Sequence, residues 1–133
     1  MISQMSNLKT QSYNSNLKSN IRYRAYQLSL VVIQLVNSFP EKRAFWVIGD
    51  QLLKASTSIG ANLIEAKASS SRKDFIRFYE ISLKSANETK YWLCLLRDSK
   101  LMQPNKLDLL ITEINEISKM IGSSILTLKG KRV

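Results

Sequence analysis

The sequence predicts an all-α protein, an antiparallel up-down-up-down four-helix bundle. Four stretches of the 133-residue chain carry apolar residues at alternating spacings of three and four, which places them on one face of a helix. Three short breaks separate these stretches, and short connections place successive helices antiparallel. No stretch alternates apolar and polar residues with period two, so strands are not expected.

The chain is predicted to begin with a disordered polar leader over residues 1–19, followed by the bundle over 20–128. The leader is rich in Ser, Asn and Gln and lacks the apolar segment of a signal peptide. The first helix is expected at about 21–37. Val31, Ile33 and Val36 widen its apolar face beyond one seam, which suggests either burial on two sides or a second interface. The seam itself is predicted at Ile21, Ala25, Leu28, Val32, Leu35 and Phe39.

The second helix is expected at about 41–68. Ser38 and Glu41 have the spacing of a capping box, and Pro40 between them is tolerated in a first helical turn. Gly49 and Gly60 each weaken a helix by up to about 1 kcal/mol relative to Ala. These glycines are expected to allow close approach of a neighbouring helix, which offsets the lost helix stability. The middle of the helix is thin, with small residues at Ala55, Ser56, Ser58, Gly60 and Ala61.

The third helix is expected at about 72–100, with Ser71 and Asp74 as a capping pair. Its Ser82, Ser85 and Ala86 form a second thin segment, which could face the thin part of the second helix. The fourth helix is expected at about 104–128, before a basic tail at 129–133. The third seam is predicted at Phe75, Phe78, Ile81 or Ser82, Ser85, Glu88, Trp92 and Leu95, and the fourth at Leu107, Leu110, Ile114, Ile117, Ile121, Ser124 or Ile125, and Leu128.

Four polar residues fall on or beside the predicted seams. A buried carboxylate is costly unless it is paired or hydrogen-bonded, so these residues are interpreted as a structural network that fixes helix register. The alternative is a catalytic acid or a metal ligand. It is disfavoured because the chain has no histidine and no clear third acid for a di-metal site. No catalytic residue, metal or cofactor is therefore predicted. The network residues are Gln51, Asn62, Glu65 and Glu88.

The single cysteine, Cys94, lies in an apolar stretch and is expected to be a core residue rather than a nucleophile. A lone cysteine forms no intramolecular disulfide and fits a reducing cytosol. The longest apolar stretch, 28–36, is far shorter than the ~20 residues of a membrane-spanning helix. The protein is expected to be cytoplasmic and to have no membrane partner.

Lysine and arginine number 20 against 10 aspartates and glutamates, a formal net charge of +10. An excess of this size favours polyanions, namely RNA, DNA or an anionic membrane surface; the alternative is a merely solvated basic surface. No RNA-recognition, helix-turn-helix or zinc-finger signature is present, so binding is expected to depend on electrostatics and shape. Tyr23, Tyr26, Tyr79 and Tyr91 are aromatic side chains that could stack on bases. The candidate nucleic-acid-binding residues are Lys67, Arg72, Lys73, Arg77, Lys84, Lys129, Lys131 and Arg132.

Several sequence blocks occur in a characteristic order: 38–41, 51–52, 58–66, 71–78 and 85–88. With these blocks the chain resembles the four-helix bundle family of proteins encoded in 23S rRNA intervening sequences. That family is similar in fold to the accessory proteins of diversity-generating retroelements. The resemblance covers roughly Arg24 to Leu128, and Ala66 stands where the family usually has glycine. It implies a left-handed bundle, a ring-like homopentamer and a basic surface suited to nucleic acid.

Together these observations favour a non-enzymatic, homo-oligomeric protein that binds nucleic acid, with structured RNA favoured over DNA. The alternative is a protein-interaction scaffold or accessory subunit, for example for a reverse transcriptase or another acidic partner. An enzyme is disfavoured, because the sequence assembles neither a nucleophile with its base nor a phosphate-cradling loop.

Overall fold

The computed structural model describes residues 20–130, and four α-helices account for most of that range. Helix α1 spans Ile21–Asn37, α2 spans Arg43–Ala68, α3 spans Arg72–Asp98 and α4 spans Pro104–Leu128. Within 20–130 there is no strand, so the all-α prediction is confirmed. The leader and residues 131–133 lie outside the described residues, and what the sequence predicts for them stays a prediction.

Each helix packs against the next, and α1 also packs against α4, so the four helices enclose one core. The contact between α2 and α3 is the most extensive. Contacts between α1 and α2 pair residues in opposite chain directions, Ala25 with Gly60 and Val36 with Gly49, as an antiparallel arrangement requires. The left-handed sense of the bundle stays a prediction.

The core follows the predicted seams of α1 and α4 closely. In α4 the seam residues from Leu107 to Ile125 are buried, because their alternating spacing of three and four keeps them on one face. In α1 the same holds for Ala25 and Leu35. The largest fully buried apolar side chains are Leu52, Ile59, Leu63, Leu93, Leu96, Leu107, Ile114, Ile117 and Ile121.

No helix among residues 20–130 combines the length and the hydropathy that a bilayer-spanning segment requires.

The predicted capping box before α2 is wrong. Ser38 ends α1, where its backbone N–H donates to the carbonyls of Gln34 and Leu35 and its hydroxyl donates to the Leu35 oxygen at 2.7 Å. Helix α2 begins at Arg43, two residues later than predicted, after Lys42, whose side chain makes no capping bond. Ser38 could have capped either the end of α1 or the start of α2, and it bonds to the carbonyls at the end of α1 that have no partner within that helix.

Helix α3 begins at the predicted residue. The Ser71 hydroxyl accepts a hydrogen bond from the Asp74 backbone N–H at 3.1 Å, which confirms the predicted N-cap. The helix ends at Asp98 rather than at 100. Lys100 adopts a φ of 58°, and this left-handed conformation does not continue an α-helix.

The buried face of α3 is rotated by one residue from the predicted seam. Glu88 and Leu95, both predicted on the seam, are exposed, and Trp92 is half-buried. Neighbouring faces of α3 carry nearly the same spacing of apolar residues, so periodicity alone did not distinguish them. The buried residues are Tyr79, Ser82, Ser85, Ala86, Thr89, Leu93 and Leu96.

Small residues on α3 let it approach α2 closely, as predicted. The fully buried Ser82 donates its hydroxyl proton to the Ile59 backbone oxygen of α2 at 2.9 Å. A side chain as short as serine reaches the backbone of another helix only where the two helices lie close together. The thin segments of α2 and α3 therefore face each other, and this contact determined the rotation of α3.

Substitution of Gly122 by alanine is expected to raise the free energy of unfolding by about 1 kcal/mol, the helix-propensity difference between the two residues. A Cβ atom at Gly122 would meet no other atom within 4 Å. Gly49→Ala is the matched control, because its Cβ would lie 3.1 Å from Val36 Cγ1 and strain would offset the gain. Urea denaturation of both variants measures the difference, and an equal gain at both sites would contradict close approach at Gly49.

Candidate nucleic-acid interface

Antiparallel packing brings the starts of α1 and α3 and the ends of α2 and α4 to one end of the bundle. We call this the basic end, because six basic side chains lie there against three carboxylates, Glu65, Asp74 and Glu80. Arg22 at the start of α1 joins the residues predicted from sequence, close enough to Tyr79 of α3 to influence its ionisation. The six basic residues are Arg22, Lys67, Arg72, Lys73, Arg77 and Lys129.

Arg72 is engaged within the chain. Its Nε donates to the Leu128 backbone oxygen at 3.0 Å, and its Nη2 donates to the same oxygen. That oxygen belongs to the last residue of α4, whose final carbonyls have no partner within their own helix. Arg72 therefore ties the start of α3 to the end of α4, and its first role is structural.

Lys129 also has a partner within the chain. Its Nζ donates to Glu80 Oε2 at 2.7 Å, and both side chains are substantially exposed. Exposed ion pairs of this kind stabilise a protein by at most about 1 kcal/mol, so a phosphate group can compete for Lys129 at small cost. The bond holds the first residue of the basic tail beside α3. Lys131 and Arg132, also predicted to bind, lie outside the described residues.

The other predicted cations are more available. Lys67, Lys73 and Lys84 are exposed and form no ion pair with any residue of 20–130. Arg77 lies over the Phe78 ring, 4.4 Å from its centroid, and its Nε is 3.7 Å from Asp74 Oδ1. We call Lys73, Arg77 and Lys84 the α3 row. It spans about 16 Å of helix at 1.5 Å per residue, enough to meet several successive phosphates.

The predicted network of carboxylates is wrong. Glu65 and Glu88 are exposed and make no side-chain hydrogen bond within 20–130, and Gln51 is half-buried without one. Only Asn62 takes part in a network, donating from Nδ2 to the Ser58 carbonyl at 2.8 Å and to its hydroxyl at 3.0 Å. Rotation of α3 placed Glu88 in solvent and avoided the cost of burying a charge.

Hydroxyl groups occupy the buried polar positions instead. Ser85 Oγ donates to Ser58 Oγ of α2 at 2.8 Å, and Thr89 Oγ1 donates to the Ser85 carbonyl at 2.8 Å. Hydroxyls are small and can use backbone carbonyls as acceptors, so they satisfy their bonds where two helices are close. Sequence reasoning treated these serines only as small residues. Their spacing in phase with Ala86 and Leu93 was the available signal.

Sequence reasoning also missed an ion pair between α1 and α4. Arg24 donates from Nε to Glu113 Oε2 at 2.9 Å and from Nη2 to Oε1 at 2.6 Å, a two-point contact between partly buried side chains. The hydrogen bond to Glu113 raises the pKa of Arg24. The Arg24–Glu113 pair is structural, because it joins α1 to α4. A second ion pair lies at the end of α3, far from the basic end. There the hydrogen bond from Arg97 lowers the pKa of the exposed Asp98 carboxyl.

Of the four tyrosines proposed to stack on bases, one is excluded by burial. Tyr79 is buried and stacks on Phe75 with ring centroids 4.8 Å apart. Tyr23 is half-buried and accepts a hydrogen bond from Gln27. Tyr26 and Tyr91 are exposed and remain candidates.

Burial raises the pKa of the Tyr79 phenol above its ordinary value of 10.0, and the nearby Arg22 partly opposes this. Because the folded-state pKa is the higher one, the stability that Tyr79 contributes is fully present below about pH 10 and is lost as pH rises through the folded pKa. Tyr79→Phe is expected to weaken the decline of the unfolding free energy above pH 10. Denaturant unfolding across this range tests it. The exposed Tyr91→Phe is the control and should retain the wild-type decline; identical curves for all three proteins would contradict the prediction.

The fold and surface together define a class: a basic four-helix bundle in which cations outnumber carboxylates at one end. Within residues 20–130, no group of three or more His, Cys, Asp or Glu side chains is arranged to hold a metal ion. The chain belongs to the 23S rRNA-intervening sequence protein family, whose model matches residues 18–123. The resemblance drawn from the sequence blocks is thereby confirmed.

A solved structure supports the same relationship. The chain is similar to the crystal structure of a protein with unknown function from the S23 ribosomal protein family of Bacteroides thetaiotaomicron VPI-5482. The two have a TM-score of 0.74 and 32% sequence identity over 79% of this chain and 97% of that chain. No curated protein matches this chain.

Proposed function

We propose that this protein is a non-enzymatic, homo-oligomeric bundle that binds structured RNA through its basic end and the α3 row. The excess of cations over carboxylates at the basic end carries the proposal. Lys67, Lys73 and Lys84 are exposed without an ionic partner among the described residues, so they are available to phosphate. Contacts of this kind position a nucleic acid without reading its bases.

Structured RNA is the favoured ligand. Double-stranded RNA is recognised mostly by shape and by backbone contacts, because its deep, narrow major groove excludes side chains. A row of cations along one helix suits recognition of that kind.

Self-association is supported by a groove between α1 and α4. The groove has a volume of about 420 Å³. Leu28 and Leu110 contribute its apolar lining, and Leu109 at its edge is 73% exposed. Contiguous exposed apolar surface marks an interaction site in soluble proteins. The resemblance to the family points to five copies. The same groove also favours the second candidate function, an accessory subunit whose partner is another protein.

Fluorescence anisotropy with a labelled, structured RNA tests the first part of the proposal. The logarithm of the affinity is expected to fall linearly with the logarithm of the salt concentration, because binding releases counterions from the phosphates. A DNA duplex of equal length should bind more weakly. Negligible RNA binding at low salt would overturn the proposal.

Native mass spectrometry tests the second part. A pentamer should have a mass of about 76 kDa, five times the chain mass of 15.2 kDa. A monomer at micromolar concentration would contradict self-association. Co-purification of a protein that survives nuclease treatment would favour the accessory-subunit alternative.

A further inference from the structure

A small slot lies at the end of the bundle opposite the basic end, between the end of α1 and the start of α2. Its volume is about 310 Å³, near the lower limit of about 300 Å³ for ligand sites. Trp46, Phe39 and Pro40 contribute its apolar walls, and Asp50 contributes a carboxylate. We call this the Trp46 slot.

The walls of the slot are held in place by packing. Phe39 makes an edge-to-face contact with the buried Phe45, with ring centroids 4.9 Å apart. Gly49 of α2 lies beside the same ring, since a Cβ atom there would be in van der Waals contact with Phe39 Cδ2 at 3.5 Å. The slot is therefore formed before any ligand arrives, which lowers the entropy cost of binding.

Trp46 is the most exposed aromatic residue that the structure describes, with 69% of its surface accessible. A tryptophan on a soluble bundle leaves this much apolar area in water only at a cost in free energy. Trp46 was not among the aromatic residues that the sequence suggested for base stacking.

Two cations, Lys42 and Arg43, lie in the sequence just before Trp46. Arg43 lies three residues before Trp46 within α2, a spacing that makes the two side chains neighbours on the helix surface. Lys42 is the N-cap residue of α2, and its backbone oxygen accepts a hydrogen bond from the Trp46 N–H. Both cations are exposed, and neither forms an ion pair with any residue of 20–130. Glu41 and Asp50 are the nearby acids.

We propose that the Trp46 slot binds one unpaired nucleotide of an RNA ligand. The base stacks on the Trp46 indole, its phosphates contact Lys42 and Arg43, and the Asp50 carboxylate accepts a hydrogen bond from an exocyclic amino group. Stacking on an aromatic ring with a cation beside it is the usual way in which proteins bind single-stranded nucleic acid, and carboxylates accept from the cytosine amino group. This inference rests on the proposed RNA-binding function and adds to it a site for unpaired bases.

An eight-nucleotide oligocytidine is the probe, with anisotropy for affinity and intrinsic fluorescence for stacking. Trp46→Ala is expected to weaken oligocytidine binding by about 5- to 150-fold, the change that corresponds to one stacked base. Trp46→Phe should retain most of the affinity, because phenylalanine still stacks. Val47→Ala trims an exposed apolar side chain next to Trp46 that does not line the slot and cannot stack on a base, so this variant should bind like wild type. Oligouridine, which lacks the amino group, should bind more weakly than oligocytidine.

Emission from Trp46 provides an independent readout. Oligocytidine should quench the wild-type protein, and the quenching should be absent in Trp46→Phe, where Trp92 alone emits. Equal quenching in both proteins, or wild-type affinity in Trp46→Ala, would overturn the inference. A changed oligomeric mass in Trp46→Ala would also overturn it, because Trp46 would then belong to a contact between copies. If structured RNA binds normally and oligocytidine binding does not depend on Trp46, only the slot is refuted. If neither structured RNA nor oligocytidine binds, the proposed function is refuted as well.

Discussion

Substitution of Lys73, Arg77 and Lys84 by glutamine is expected to weaken binding of structured RNA by about 100-fold near 0.1 M salt. Each phosphate contact contributes about 0.9 to the slope of log affinity against log salt, so loss of three contacts should reduce that slope by about 2 to 3. The three side chains are exposed, and surface substitutions of this kind change stability by no more than about 0.5 kcal/mol. Anisotropy titrations at several salt concentrations measure both quantities.

A second triple variant controls for net charge. Replacing Lys54, Lys90 and Lys119 by glutamine also removes three positive charges, but from exposed positions on α2, α3 and α4 that lie outside the α3 row. If the α3 row forms the interface, this control should retain most of the affinity and nearly all of the salt slope. Equal losses in the two variants would show that only the overall charge matters, which would contradict a localised binding surface.

Ser82→Leu is expected to lower the free energy of unfolding by about 3 kcal/mol, the upper part of the usual range for overpacking a core. Ser82 is fully buried, and its hydroxyl lies 2.9 Å from the Ile59 backbone oxygen. A leucine side chain has no space there unless α2 and α3 move apart. Urea denaturation measures the loss, and because the α2–α3 contact is the most extensive in the bundle, the variant should also unfold less cooperatively.

Two control substitutions separate the effects of volume and polarity. Ser82→Ala removes one hydrogen bond and should cost about 1 kcal/mol. Glu88→Gln should change stability by no more than about 0.5 kcal/mol, because Glu88 is exposed; the network predicted from sequence would have required a clear loss. If the Ser82→Leu and Ser82→Ala variants are equally stable, that result would contradict the close approach of α2 and α3.

Much of the fold follows from local properties of the chain. The bounds of α1 and α4 agree with the prediction, because each has a regular apolar face and a clear break beside it. Ser71 was recognised as a cap because an N-cap depends only on residues within one turn of it. The ordered blocks from 38 to 88 were enough to point to the family that the comparison then established.

The basic end shows what local properties leave open. Lys67, Arg72 and Lys73 are close in sequence, so their proximity was predictable. Arg22 and Lys129 join them only because α1 and α4 pack against the other helices. The bond from Arg72 to the Leu128 carbonyl joins residues that are 56 positions apart, and no sequence pattern distinguishes a cation engaged in this way from a free one.

The sequence by itself determined that this protein is a basic bundle of four helices, because the number and lengths of the helices and the net charge depend on composition and local spacing. The tertiary structure alone decided which face of α3 is buried, which cations stay available for a ligand and where the exposed Trp46 forms a slot. Rotating a helix by one residue changes nothing in its own hydrogen bonds. Only the fit between neighbouring helices, with Ser85 against Ser58 and Ser82 against the backbone of Ile59, decided that rotation.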